Sequence, residues 1–175
     1  MADLEDIPHH VQLSLNLNGS VERPRMDEKM NWIKQHIKRM PHLGLVHFQE
    51  THFMTEREAY TALRRLGGKV LGLGLASDRG GGIATWVPPT SPVYELISEA
   101  AMDPECRYAV MQIQGTDSRI HTANLYAYPQ PVEREEQFKK LKEDRVFHSY
   151  ENLMIGGDWN FVLDEIDVWR RVHIE

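Results

Sequence analysis

The sequence predicts an α/β protein, a mixed-sheet α/β sandwich. Three observations carry that expectation. Stretches with the twofold alternation of strands are interleaved with stretches of helical spacing. Residues 108–114 and 119–126 both alternate and flank Gly115-Thr116-Asp117-Ser118, a hairpin that argues against a purely parallel sheet. A length of 175 residues, with 41% hydrophobic and 26% charged side chains, suits one domain with a real core. The organisation expected is an N-terminal tail over residues 1–10 and a single domain over residues 11–175.

Residues 11–17 set Val11, Leu13, Leu15 and Leu17 on one face and Gln12, Ser14 and Asn16 on the other, a half-buried strand closed by Asn18-Gly19. Pro24 suits the first turn of a helix. Met26, Met30, Ile33, Ile37 and Met40 then recur at helical spacing, with Lys29, Lys34 and Lys38 outside. A methionine stripe of this kind belongs to a core, and Pro41 ends the helix. Residues 43–50 read as a buried strand that finishes in Gln49-Glu50-Thr51-His52. Thr55-Glu56-Arg57-Glu58 has capping-box spacing; Ala59, Ala62, Leu63 and Leu66 give the helix its apolar face, and Gly67-Gly68 stop it.

Residues 69–75 form a strand loosened by Gly72 and Gly74. Asp78-Arg79-Gly80-Gly81-Gly82 leads into another strand, residues 83–87, and Pro88, Pro89 and Pro92 mark a loop. After the hairpin, residues 133–147 are a surface helix with Phe138 and Leu141 inward. Its Lys139, Lys140 and Lys142 are offset by nearby acids and read as a solvated face. Residues 152–156 are the strand that delivers Gly156-Gly157-Asp158-Trp159-Asn160.

A net charge of −6 and a pI near 5.8 exclude the broad basic footprint of a protein held to DNA mainly by phosphates. Any nucleic-acid contact must use a local basic patch or a bridging metal. One cysteine, Cys106, excludes an internal disulfide framework and a four-cysteine zinc site. It points to a reducing, intracellular compartment, without distinguishing nucleus, cytoplasm or organelle. The acidic N-terminus shows no secretory signal, and no stretch approaches the ~20 apolar residues of a membrane span, so no membrane insertion is expected. The triple glycine is not a Walker loop, because no Lys-Ser or Lys-Thr follows and a strand comes next. No His-Glu-x-x-His occurs; His47 and His52 flank Glu50, and zinc hydrolysis is set aside, with His52 expected beside a metal site and not in it.

Polar residues stand at four strand ends: Asn16, Glu50, Asn124 with Tyr126, and Asp158 with Asn160. Each alone has a structural explanation, since Asn caps turns, Glu pairs with Arg and Tyr keeps its hydroxyl wet. Together, in α/β sheets that place ligands beyond strand ends, they point to a site. The series Leu15-Asn16-Leu17-Asn18-Gly19, Gln49-Glu50-Thr51-His52, Gly81-Gly82-Ile83-Ala84, Asn124-Leu125-Tyr126-Ala127 and Gly156-Gly157-Asp158-Trp159-Asn160 resembles the endonuclease/exonuclease/phosphatase superfamily. It most resembles the apurinic-type endonuclease domain of LINE-type retrotransposons, over residues 11–167.

The resemblance implies a deoxyribonuclease-like sandwich and a Mg2+- or Mn2+-dependent phosphodiesterase acting on DNA. It implies that Glu50 binds the metal, that Asn16 helps hold the metal-site network, and that Tyr126 contacts the region of the scissile phosphate. It further implies that Asp158 orients or deprotonates the attacking water and that Asn160 donates to phosphate or nucleophile. Three departures stand out. Tyr128 intervenes between Ala127 and Pro129, Trp159 replaces the commoner Phe, and the family's later Ser-Asp-His motif has no counterpart before Glu175; His173 lies too early to be that histidine. The expectation is therefore a C-terminally truncated domain whose second sheet is incomplete and is covered by another protein chain, by self-association or by missing sequence. The alternatives are a catalytically inactive descendant serving as an assembly subunit, and a phosphodiesterase acting on a phosphoinositide, sugar phosphate or RNA.

Overall fold

The structure, a computed structural model, describes residues 6–18, 23–77, 81–150 and 152–161. Two four-stranded sheets are stacked, and both are mixed. The first has the order β1-β2-β4-β3 and contains β1 (Val11–Asn16), β2 (Leu43–Gln49), β3 (Lys69–Gly74) and β4 (Ile83–Val87). The second runs β5-β6-β7-β8, from β5 (Ile97–Met102), β6 (Tyr108–Gln114), β7 (Arg119–Tyr126) and β8 (Leu153–Asp158). β1 pairs parallel to β2, and β7 parallel to β8; the other pairings are antiparallel. Two helices, α1 (Arg23–His36) and α2 (Glu56–Leu63), cover the outside of the first sheet, and α3 (Pro131–Glu143) lies outside the second.

Alternation along the strands sorts the core into two layers. Val46, Phe48, Ala84 and Trp86 pack outward against Met26, Met30, Ile33, Ile37, Ala59, Leu63 and Leu66 of the helical layer. Leu45, Ile83 and Val87 face inward against Ala109, Met111, Ile113 and Ile120 of the second sheet. β2 is thus buried on both faces over its whole length, as its apolar run requires. Thr55 Oγ1 accepts from Glu58 N at 3.2 Å, while Glu58 Oε2 reaches back to Met54 N at 2.9 Å, one residue beyond the usual partner of a capping box.

Several elements depart from the sequence expectation. The helical stripe is buried through Ile37, where the helix tightens into a 3-10 turn, Ile37–Arg39, but Met40 is left exposed. β5 carries no alternation in Ile97-Ser98-Glu99-Ala100-Ala101-Met102 and was missed; it is an edge strand, exposed over Ser98, Glu99 and Ala100. The charged helix ends at Glu143, earlier than expected, and buries no residue; Phe138 and Leu141 are only partly covered, over a small apolar groove above Leu125 and Ile155. Residues 6–10 pack against the domain. Ile7 joins the inter-sheet core, and Asp6 accepts from Asp117 N at 2.8 Å and from Ser118 Oγ, fastening the β6–β7 turn. Gly19, Gly80 and His173 lie outside the described residues.

Candidate active site

Register brings the motif residues to one end of the sandwich. In the first sheet Asn16 is the partner of Gln49 across the parallel β1–β2 pair, so Glu50 follows immediately beside it. In the second sheet Tyr126 is the partner of Asp158 across the parallel β7–β8 pair. Asp158 is the last residue of β8 and not, as the sequence suggested, just beyond the strand; Asn160 lies two residues further on. Stacking the sheets closes the set. Gly156 suits this close approach, since a Cβ there would sit 3.3 Å from His47 Cδ2 of the opposite sheet.

Two hydrogen-bonded groups result. Tyr126 Oη donates to Glu50 Oε1 at 3.1 Å, joining the sheets on one side. On the other, Asn16 Nδ2 donates to Asp158 Oδ2 at 2.5 Å, and Asn160 N donates to Asp158 Oδ1 at 2.9 Å. Asn160 Nδ2 donates to Ala127 O at 2.6 Å, and Asn16 Oδ1 accepts from Asn18 N at 2.6 Å. Burial, followed by the Glu50 charge and its hydrogen bond, pushes the Tyr126 phenol up to about 12, against the opposing pull of Arg107; Asp158 adds to the rise. Tyr126 is therefore a fixed donor throughout the neutral range, and both carboxylates lie within its electrostatic reach.

The backbone is strained where these groups are presented. Asn18, Glu50, His52 and Asn160 have φ of 44°, 49°, 53° and 51°. Left-handed backbone at non-glycine residues costs free energy and persists only where surrounding bonds hold it. Here His52 N donates to Gly81 O at 2.9 Å, and Lys29 Nζ donates to Leu17 O and Asn18 O. Lys29, read as an outward helix residue, thus anchors the turn after Asn16.

One pleat behind the site runs a buried polar seam. Ser14 Oγ donates to Gln49 Oε1 at 3.1 Å, and Gln49 Nε2 donates to Asn124 Oδ1 at 2.7 Å. Asn124 Nδ2 donates to Phe48 O and Ala84 O at 3.1 Å each, tying β7 to the first sheet. Deeper still, His47 bridges Thr85 Oγ1 and Thr122 Oγ1 at 2.9 Å each. Thr122 gives its one hydroxyl proton to Gln12 Oε1 at 2.6 Å, so it accepts from His47 Nε2–H, and Nδ1 accepts from Thr85. Sequence reasoning found Asn124 but missed Ser14, Gln49, His47 and Arg107 as parts of the site's frame. For Ser14, His47 and Gln49, position in a strand one to three residues before a motif residue could have signalled them; Arg107 has no such signal.

Among the described residues no group of three or more His, Cys, Asp or Glu side chains is arranged to hold a metal. Glu50 Oε2 accepts no hydrogen bond among the described residues, whereas both Asp158 oxygens are taken by amide donors. Such a donor set suits a hard cation that keeps most of its waters, and does not suit a four-ligand zinc cage. His52 lines a cavity of about 560 Å³ beside Thr51 and Phe53.

No protein-family model matches the sequence, and no curated protein matches it. Solved structures do. The endonuclease domain of TRAS1, a telomere-specific non-LTR retrotransposon, is 18% identical with a TM-score of 0.56, over 89% of this chain and 63% of that one. An AP endonuclease from Archaeoglobus fulgidus is 18% identical with a TM-score of 0.54, over 91% of this chain and 60% of that one. Humanized D. rerio TDP2 is 12% identical with a TM-score of 0.56, over 86% and 62%. The chain spans less than two thirds of the length of each. With two stacked mixed sheets flanked by helices, the chain has the deoxyribonuclease-I-like fold that these structures share.

Proposed function

We propose that the chain is a metal-dependent phosphodiesterase that nicks DNA. The observation that carries this reading is the meeting of Glu50–Tyr126 with Asn16–Asp158–Asn160 at one end of the two sheets. Two structural neighbours named as endonucleases support a nucleic-acid substrate. Glu50 would hold Mg2+ or Mn2+, which when bound supplies positive charge to the phosphoryl oxygens. Asp158, held at both oxygens, orients a water and takes its proton. Asn160 commits one side-chain N–H to Ala127 O and keeps the other for a phosphate oxygen. Tyr126 keeps its proton and fixes the Glu50 carboxylate.

Nicking of supercoiled plasmid in Mg2+ or Mn2+ tests the proposal. Glu50→Ala and Asp158→Ala should each lower the rate by about 10²–10⁴-fold, the range for losing a positioned acid–base or metal group. Absence of nicking by the wild-type chain at any concentration of either metal would overturn it. A second reading, an assembly subunit without turnover, is favoured by one observation. Among the described residues β1 and β8 are both sheet edges, and Met154 and Ile155 on β8 are 46% and 36% exposed. On that reading another protein chain covers the two edges, and magnesium gives no thermal shift.

A further inference from the structure

The helical layer carries an aromatic side chain that its own packing leaves unused. α1 buries Met26, Met30 and Ile33 against the first sheet, and Ile37 continues that face into the 3-10 turn. Trp32, Gln35 and His36 fall on the outward side at helical spacing, all exposed. Trp32 is 53% exposed and yet fixed: its ring stacks on His36, with centroids 4.9 Å apart and planes 18° apart. His36 is held in turn, since its Nδ1–H donates to Trp32 O at 3.0 Å. An indole so placed offers its contact area at little cost in rotamer freedom, the property that makes Trp a frequent interface anchor. Around it the chain is basic. Residues 23–39 hold six Lys and Arg against Asp27 and Glu28, in a chain whose net charge is −6. Asp27 pairs with Arg65, and Lys34 and Arg39 are exposed.

The second sheet offers the complement. A groove of about 580 Å³ runs between α3 and the start of β6, a size within the roughly 300–1,000 Å³ of sites that bury a large group. Its walls are Tyr108, Tyr128, Leu141 and Val146, all partly exposed. Its rim is Asp103, Glu105, Glu133, Glu136 and Asp144. Two cations stand against these five acids, and both are engaged. Lys140 lies 3.6 Å from Glu105, and the Arg107 guanidinium carbon lies 3.8 Å from the centre of the Tyr128 ring. The groove therefore stays negative. Burial, followed by the charges of Asp103, Tyr150 and Asp144, holds the Tyr108 phenol above its ordinary value.

We infer that α1 of one copy of this chain docks in the acidic groove of a second copy, with Trp32 against the groove walls and Lys34 and Arg39 toward the rim carboxylates. Two observations select a second copy as the occupant. The exposed basic helix and the groove rimmed by five acids are complementary in charge, and one chain carries both. They also lie on opposite outer layers, α1 outside the first sheet and the groove beside α3 outside the second, so a copy cannot fill its own groove. The contact is therefore heterologous, and each copy added presents a free helix at one end and a free groove at the other. A lipid surface is a poorer occupant, because the apolar face of α1 is already buried in the core. None of this uses the phosphodiesterase reading.

Sedimentation velocity tests it. The wild-type chain should form oligomers whose size grows with concentration and falls as salt is added. Trp32→Ala should weaken association about thirtyfold or more, the loss of a hot-spot side chain. Glu136→Lys combined with Asp144→Lys should do the same from the other surface. The decisive sample is the mixture. Each variant alone has one dead surface and stays monomeric, whereas together they leave one intact helix and one intact groove and should stop at a one-to-one dimer. Should circular dichroism show that Trp32→Ala does not fold, Lys34→Glu with Arg39→Glu takes its place in the mixture. A wild type that stays monomeric up to about 100 μM would overturn the proposal. So would a mixture that stays monomeric, or variants that associate as the wild type does, which would move the contact to the β1 and β8 edges.

Discussion

His47 shows how a single residue links the site's frame to pH. It is 1% exposed, bonded at both nitrogens to threonine hydroxyls, with no acid against it. Burial holds its pKa down from 6.5 to about 3. The unfolded chain therefore binds a proton between pH 6.5 and 3 that the folded chain does not. The stability contributed by neutral His47 is complete above pH 6.5 and is lost as pH falls through that window. At pH 4.5 the loss amounts to roughly 3 kcal/mol, at 1.36 kcal/mol per unit. We expect urea midpoints to fall steeply between pH 7 and pH 4.5, and the fall to flatten in His47→Gln, which cannot take the charge. An equally steep fall in that variant would place the acid sensitivity elsewhere. Tyr126 adds nothing to this profile, since its phenol stays protonated up to about pH 12.

At the scale of elements, β8 is where sequence and site depend on each other most. Gly157 faces Leu125 of β7, and a Cβ there would stand 1.9 Å from Leu125 O, inside the ladder that aligns Tyr126 with Asp158. Backbone cannot yield as a side-chain tip can. Gly157→Ala should cost roughly 2–4 kcal/mol and, in the fraction that still folds, separate Asp158 from Asn16. A urea midpoint within error of wild type would show that β8 pairs less tightly than its register indicates. The sequence made β8 legible because its glycines and its acid stand together in one motif, and β2, β4, β6 and β7 legible because alternation or apolar runs mark them. β5 was not legible: an edge strand with Ser98, Glu99 and Ala100 in solvent needs neither alternation nor β-branched residues. Met40 misled for a related reason, since the stripe it continues outlasts the helix that buries it.

The whole molecule sets how nucleic acid could be held. Five short motifs were enough to anticipate the sandwich and to pick out Asn16, Glu50, Tyr126, Asp158 and Asn160, which it gathers at one end, because strand ends concentrate polar residues that packing does not require. Which sheet each strand joins was beyond the sequence, as was the inter-sheet seam, because pairing partners such as Asn16 with Gln49 are far apart in the chain. So was Arg107, since a lone arginine at a strand start has no local pattern. The assembled chain still carries a net charge of −6, and its α3 lysines are set among acids, with Lys140 3.6 Å from Glu105 and Lys139 3.9 Å from Glu143. On the proposed function, affinity for a polyanion then rests on short-range groups: a cation at Glu50 and the Asn160 amide. On this basis Asp158→Ala, used to block turnover, should bind a short duplex at least about tenfold more tightly in Mg2+ than in EDTA. The plot of log affinity against log salt should correspond to only about one to three phosphates, not the many of a basic DNA-binding face. Fluorescence anisotropy titrations across salt concentrations read both. Tight, steeply salt-dependent binding in EDTA would mean that a basic surface, and not a metal at the strand ends, holds the nucleic acid.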